Sequence, residues 1–134
     1  MHTSVVEYMG KLRTQATHVN SNTIIGSDAP LDNKGNGELF SPTDLLATSL
    51  CQCMLTIMGI KADELNVNIT GTKASVRKVM KSVPRRVQKI EIKIEFPGEA
   101  KSHHQIWEQA ARDCPVALSL HPDIQQIVLI DYVN

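Results

Sequence analysis

One segment alternates strictly between apolar and charged or polar side chains, which is the period of a half-buried β-strand. Residues 87–96 read VQKIEIKIEF, so three isoleucines and a phenylalanine share one face while Glu and Lys share the other. This pattern predicts a strand in a sheet with one face toward water. Leu65–Thr70 also alternates and predicts a second strand, which we expect to extend toward Val79.

Segments rich in β-formers predict further strands at both ends of the chain. Val5–Leu12 and Ala16–Ile25 predict two or three antiparallel strands, with a turn at Ser21–Asn22. Residues 28–37 are rich in Asp, Asn, Gly and Pro and predict a loop, whereas residues 124–133 predict a closing strand.

The segment SPTDLLATSLCQCMLTIM, from Ser41 to Met58, predicts the central helix. Ser41 suits the N-cap, Pro42 the first helical position and Asp44 the acidic position of a capping box. Gly59 predicts the end of the helix. Because the segment is apolar around nearly its whole circumference, we expect it inside a core or a subunit interface.

Two further helices precede the closing strand. Ser102 predicts the cap of a helix that runs through Arg112, and Cys114 opens a short helix with Pro115 in its first turn. The order of strands, buried helix, strands, helices and final strand predicts an α+β fold in one domain over residues 1–134.

Composition excludes several classes of function. The formal net charge is zero, which gives no bulk attraction to nucleic acid or to an anionic membrane, and the few aromatic residues argue against a base-stacking surface. The N-terminus lacks the basic start and apolar core of a signal peptide. No uncharged apolar stretch reaches about 18 residues, so we expect no membrane span and a cytoplasmic protein.

The three cysteines are the candidate chemistry. Cys51 and Cys53 lie two positions apart in the predicted helix, so they point to different sides and cannot easily pair with each other. One alternative is that both are small buried apolar side chains. Another is a redox pair between a helix cysteine and Cys114, whose position at a helix start favours a thiolate.

A metal site is a third alternative for the same cysteines. It would use His103, His104, Cys114 or His121 with a helix cysteine. No pair of these residues has the spacing of a common zinc motif, so we expect no metal and no organic cofactor.

The surroundings of two cysteines follow a specific pattern. Pro42 is followed by Leu45–Ala47 and then by Cys53, and Cys114 stands in the sequence DCPV after an amphipathic segment. These two segments resemble the Asn-Pro-x-x-Leu-hydrophobic-Ala…Cys helix and the Cys-Pro segment of the OsmC/Ohr organic hydroperoxide reductases. The resemblance implies an intertwined homodimer in which antiparallel curved sheets wrap around a central buried helix.

The same resemblance implies roles for three residues, and a departure from it suggests a fourth. Cys53 is the expected peroxidatic thiol, and Cys114 is the expected resolving thiol that forms a disulfide with it. An external dithiol, such as a lipoylated protein, then restores both thiols. The family uses an arginine of the N-terminal strands to stabilise the thiolate, and Arg13 lies at about the matching distance before the helix. Glu38 is the expected partner of Arg13.

One position departs from the family pattern. The family commonly places a Glu directly after the helix-opening Pro, where this chain has Thr43. Glu38 could reach the same space, and Arg112 is a second candidate cation because it lies close to Cys114 in sequence. The departure leaves two other functions open, a module that binds a small apolar ligand and a thiol redox sensor on the same fold.

Overall fold

A computed structural model of the chain describes residues 1–133. The contacts within the chain divide it into two compact units, residues 1–46 and the remainder from Ala47. The single domain over residues 1–134 stays a prediction.

The N-terminal unit contains a three-stranded antiparallel sheet in the order β1-β2-β3. The strands are β1 (Ser4–Gly10), β2 (Arg13–His18) and β3 (Ile24–Asp28). This confirms the predicted antiparallel strands. The chain then forms the predicted loop, which contains one 3-10 turn at Leu31–Asn33.

The start of the long helix α1 (Pro42–Leu65) follows the prediction. The Ser41 backbone N–H donates to the Asp44 carboxylate over 2.9 Å, and the Asp44 N–H donates to the Ser41 hydroxyl over 3.0 Å. These two bonds form a capping box, which satisfies two of the N–H groups that lack partners at a helix start.

The predicted end of α1 at Gly59 is wrong, because the helix runs through this residue to Leu65. A helical Gly costs about 1 kcal/mol relative to Ala, and burial of apolar side chains further along, including Ala62, outweighs that cost. The helix ends where Asn66 takes a left-handed conformation with φ of 54°. The Val67 N–H then bonds back to the Ala62 carbonyl over 2.9 Å, which satisfies a terminal carbonyl group.

The strand predicted from Leu65 is wrong in its first part, because the strand that contains Val79 begins only at Lys73. Leu65 belongs to α1, and the segment that follows it is a turn in which the Asn68 side chain accepts the backbone N–H of Thr70. Val67 and Ile69 are partly buried against the core. The alternation therefore reflects one-sided packing of an irregular segment rather than sheet pairing.

The second unit contains the three-stranded sheet β4-β5-β6. Its strands are β4 (Lys73–Ser82), β5 (Arg85–Pro97) and β6 (Gln125–Val133). A turn at Val83–Pro84 joins β4 and β5 as an antiparallel hairpin, but β6 pairs with β5 in parallel. The expectation of purely antiparallel sheets is therefore wrong at β6, because the helical connection before β6 returns the chain to the same end of the sheet.

That connection contains α2 (His104–Asp113) and α3 (Pro115–Ser119). Ser102 does not cap α2 as predicted, because it lies inside a 3-10 turn, Gly98–His103. The turn is held by the Trp107 ring N–H, which donates to the carbonyl of buried Ala100 over 2.8 Å. Pro115 begins α3 as predicted.

The core of the second unit lies between α1, the sheet and α2. The predicted inward face of β5 is confirmed, and Phe96 stacks on Trp107 with ring centroids 5.2 Å apart. The largest fully buried apolar side chains are Leu50, Met54, Met58, Ile90, Ile92, Ile94, Phe96 and Trp107. Among the described residues, α1 alone also has the length and apolar composition of a membrane-crossing helix, criteria that a core helix of this kind meets as well.

Candidate functional site

Cys53 lies in the middle of α1 and is half-buried against the core. Cys51, two positions earlier, is only 5% exposed. The helix therefore separates the two cysteines as predicted, with one at the edge of the core and the other inside it. Burial raises the pKa of the Cys51 thiol, which favours an inert, packed side chain.

Cys114 caps the short helix α3 and has no exposed surface. Its extended backbone, with φ of −66° and ψ of 142°, turns the sulfur back over the first turn of α3. There the Cys114 Sγ accepts the backbone N–H of Ala117 over 3.4 Å. Pro115 suits this start because its missing N–H is not needed in the first helical turn.

The structure brings the Cys53 and Cys114 thiols together, and all three cysteines are reduced. Burial is the main cause that raises the pKa of Cys114, a hydrogen bond and the charge of Cys53 raise it further, and the Ala117 N–H opposes the rise. The expectation that the helix start favours a Cys114 thiolate is therefore wrong in its net direction. Desolvation outweighs the two backbone donors, Ala117 and Val116.

Arg13 sits at the start of β2, where it contacts two carboxylates. Its Nη2 lies 3.0 Å from Asp28 Oδ2 and 3.7 Å from Glu38 Oε1. The expected pair with Glu38 is present, but Asp28 is the closer partner. The hydrogen bond that Arg13 donates to Asp28 is the main cause that raises the pKa of Arg13.

Asp28 is the residue of this cluster that the sequence did not reveal. It ends β3, is 1% exposed, and also accepts the backbone N–H of Glu38 over 3.1 Å. The hydrogen bond from Arg13 is the main cause that lowers the pKa of Asp28, and the Glu38 N–H adds to it. The available signal was an opposite-charge pair on adjacent strands, since Arg13 and Asp28 stand directly across the β2–β3 ladder.

Arg112, the second candidate cation, makes its described polar contacts within α2. Its Nη2 donates to Gln109 Oε1 over 2.9 Å, and its Nη1 lies 3.8 Å from Glu108. These contacts are between residues three and four positions apart, as expected for the surface of a helix.

Within residues 1–133, the candidate histidines do not assemble a metal site. His104 Nδ1 lies 2.6 Å from the Tyr132 hydroxyl, and its Nε2 lies 2.6 Å from Glu108 Oε1, so protein groups occupy both ring nitrogens. Within residues 1–133, no group of three or more His, Cys, Asp or Glu side chains is arranged to hold a metal ion.

A mostly apolar cavity of about 340 Å³ lies between α1 and α2. Ile57, Leu65, Ile106 and Ala110 provide apolar walls. Two lining residues neighbour the cysteines in sequence, because Ile57 follows Cys53 by one helical turn and Asp113 precedes Cys114. Neither cysteine is among its lining residues, and the rest of its wall is formed by Lys61, Glu64, Gln109 and Asp113.

The family model for OsmC-like proteins matches residues 35–127, which is more than half of the chain. The chain belongs to the OsmC-like family. A crystal structure from Psychrobacter arcticus 273-4, of a protein named for an inferred role in osmotic stress and detoxification responses, shares 55% of its sequence. The alignment covers 97% of this chain and 96% of that chain, with a TM-score of 0.93.

More distant OsmC-like structures share the fold at low sequence identity. An organic hydroperoxide resistance protein from Elizabethkingia anophelis has a TM-score of 0.77 at 14% identity, covering 99% of this chain and 98% of that one. An organic hydroperoxide resistance protein OsmC from Legionella pneumophila has a TM-score of 0.71 at 12% identity, covering 98% of each chain. No curated protein sequence matches the chain. The α+β OsmC-like fold predicted from the two cysteine segments is confirmed.

Proposed function

We propose that this OsmC-like protein reduces organic hydroperoxides with Cys53 and Cys114. The observation that carries the proposal is the contact between two reduced thiols, one half-buried on α1 and the other buried at the cap of α3. Family membership supports it, because distant members of the same fold are named for organic hydroperoxide resistance. We place the reaction in the cytosol, where thiols are kept reduced.

In the first step the Cys53 thiolate attacks the distal oxygen of the hydroperoxide. A sulfur–oxygen bond forms, the oxygen–oxygen bond breaks, and the leaving alkoxide takes a proton and departs as the alcohol. Cys53 is oxidised to a sulfenic acid, and the peroxide is reduced by two electrons.

In the second step the Cys114 thiol attacks the sulfenic sulfur of Cys53. A disulfide forms and the sulfenic oxygen leaves as water. An external dithiol, such as a lipoylated protein, then exchanges with this disulfide, so that Cys53 and Cys114 are reduced and the external dithiol is oxidised. The proposed reaction uses no metal and no organic cofactor.

Arg13 and Glu38 have the supporting roles in this proposal. A thiolate in an apolar environment is destabilised by desolvation, and a nearby cation offsets that effect. We assign this role to Arg13, with Glu38 as one of the two carboxylates that contact its guanidinium. An organic rather than inorganic substrate is favoured by the apolar cavity between α1 and α2.

We further propose that the protein acts as a homodimer. Side chains on both faces of β1 are exposed, including Val5 and Val6 as neighbours on opposite faces, and Leu46 and Ile60 of α1 are exposed as well. Soluble monomers rarely leave such extensive apolar surface in water, and a second copy of the chain would cover it.

The proposed activity is tested by mixing the reduced protein with one equivalent of an organic hydroperoxide. Consumption of the peroxide together with formation of a Cys53–Cys114 disulfide supports the proposal. A protein that stays reduced while the peroxide remains would be a binding module instead.

A further inference from the structure

We infer that Asp28 is the positioning residue that fixes the Arg13 guanidinium. It would take the role of the family glutamate, whose position is occupied by Thr43 in this chain. The pairing itself rests on the geometry of the N-terminal unit. Its consequence for the cysteine chemistry rests on the proposed function, so the two parts need separate tests.

Distance and burial distinguish Asp28 from Glu38 as a partner of Arg13. Asp28 Oδ2 is 3.0 Å from the Arg13 Nη2, whereas Glu38 Oε1 is 3.7 Å away. The Asp28 side chain is 1% exposed and that of Glu38 is 64% exposed. A pair with one buried member is screened less by water and salt than an exposed one, so the Asp28 contact is the stronger constraint.

Strand pairing gives Asp28 a fixed position relative to Arg13. The two residues are direct partners in the antiparallel ladder of β2 and β3, so their side chains project from the same face of the sheet. Glu38 reaches Arg13 from the loop instead. A carboxylate held by a strand limits the rotamers of the arginine more than one at the end of an exposed side chain.

Glu38 contributes to the cluster mainly through its backbone. Its N–H donates to Asp28 Oδ2 over 3.1 Å, and the Asp28 N–H donates to the Phe40 carbonyl over 3.0 Å. The loop therefore holds Asp28, and Asp28 holds Arg13. Substitution of the Glu38 side chain leaves both of these backbone bonds in place.

The Asp28 carboxylate depends on Arg13 for its stability in the ionised form, because only one of its two oxygens has described hydrogen-bond partners. Asp28 Oδ1 is buried and has no hydrogen-bond partner among the described residues. Without the guanidinium, the buried charge would retain only the Glu38 backbone donor among its described contacts. Such a carboxylate is destabilised in its ionised form.

The pairing is tested without any activity measurement, by a pH titration of the side-chain carboxyl groups with carbon-detected NMR. In Arg13→Met the pKa of Asp28 should rise above its wild-type value, because its main stabilising hydrogen bond is lost. In Glu38→Gln the Asp28 titration should stay near wild type. An Asp28 titration that is unchanged in Arg13→Met would overturn the inference.

The functional consequence is tested by the rate at which a neutral alkylating reagent modifies Cys53 at pH 7. Asp28→Asn should slow this rate about tenfold, because a guanidinium that is no longer held in place supports the Cys53 thiolate less, and losing the effect of a nearby opposite charge is worth about one pKa unit or more. The comparison variant Glu38→Gln should slow it less than Asp28→Asn does, because the Glu38 carboxylate is exposed and lies farther from the guanidinium. Should Asp28→Asn not fold, the titration in Arg13→Met still decides the pairing.

The outcomes separate this inference from the proposed function. If wild-type protein consumes hydroperoxide but Glu38→Gln slows Cys53 more than Asp28→Asn does, Asp28 is not the positioning residue and the activity stands. If wild-type protein consumes no hydroperoxide while Arg13→Met raises the pKa of Asp28, the pairing stands and the peroxidase proposal is wrong.

Discussion

The thiol of Cys53 interacts with the thiol of Cys114, yet only Cys53 has part of its surface open to solvent. This asymmetry is consistent with the proposed two-step reaction, in which the accessible thiol reacts with the substrate and the buried thiol then forms the disulfide. Burial also keeps Cys114 in its neutral form at physiological pH, because its pKa is raised. A neutral neighbour does not compete as a nucleophile for the first step.

The three cysteines should therefore alkylate at different rates. Cys53 should react first, whereas Cys114 and Cys51 should lag even at mildly alkaline pH, since burial raises the pKa of both and limits reagent access. Mass spectrometry of a quenched time course with iodoacetamide checks the order. Modification of Cys51 before Cys53 would mean that the reactive helix cysteine has been misassigned.

Removal of the resolving thiol should arrest the proposed reaction at its intermediate. Cys114→Ser should react with one equivalent of organic hydroperoxide and accumulate a Cys53 sulfenic acid, because no neighbouring thiol condenses with it. Turnover with an external dithiol should fall by about tenfold or more, since loss of a well-oriented intramolecular partner removes its proximity advantage. A sulfenic-acid-specific probe detects the trapped species.

Cys51→Ser is the matched control for that variant. It removes a thiol from the same helix as Cys53 and should leave turnover within about twofold of wild type. It should also lower the free energy of unfolding by about 1–3 kcal/mol, because it places a hydroxyl in an apolar site. Complete loss of activity in folded Cys51→Ser would contradict the assignment of Cys53.

The Asp28–Arg13 pair should make stability depend on acid pH. Arg13 lowers the pKa of Asp28 in the folded chain relative to about 3.9 for an unfolded Asp. The stabilisation is therefore present above about pH 4 and is lost as the pH falls through the lowered folded value. The difference in free energy of unfolding between wild type and Arg13→Met should shrink over this window, as denaturant titrations at several pH values would measure. A difference that stays constant down to about pH 2 would contradict the linkage.

We predict dimerisation from the exposed apolar side chains of β1 and α1. Light scattering coupled to size-exclusion chromatography should give twice the mass of the 14.8 kDa chain at micromolar concentration. A single species with the mass of one chain would show that this surface is left uncovered in solution.

The sequence predicted the elements whose local patterns match their tertiary environment. The strand predicted from the alternation of residues 87–96 and the capping box predicted at Ser41 and Asp44 are both confirmed. One-sided burial and helix capping act locally, so short segments of sequence reveal them. The helix end predicted at Gly59 and the strand predicted from Leu65 were wrong because both predictions used local patterns alone. The local cost of Gly and the local alternation were overruled by packing of the last two turns of α1, which no short window contains.

The role of Asp28 depended on strand register. A turn centred on Ser21–Asn22 does not pair Arg13 with Asp28, whereas the observed hairpin closes between Asn20 and Ser21 and does. A shift of one residue in a turn changes every cross-strand partner. Asp28 itself was predicted as a loop residue because it begins a segment rich in turn formers. The parallel pairing of β6 is a long-range property of the same kind, set by the helices that precede it.

The most direct test of the central claim is a stopped-flow reaction of fully reduced protein with cumene hydroperoxide and, separately, with hydrogen peroxide. The proposed chemistry predicts rapid consumption of the organic hydroperoxide, a clear preference for it over hydrogen peroxide, and one Cys53–Cys114 disulfide per chain in the product. No reaction with either peroxide, with both thiols still reduced, would contradict the claim.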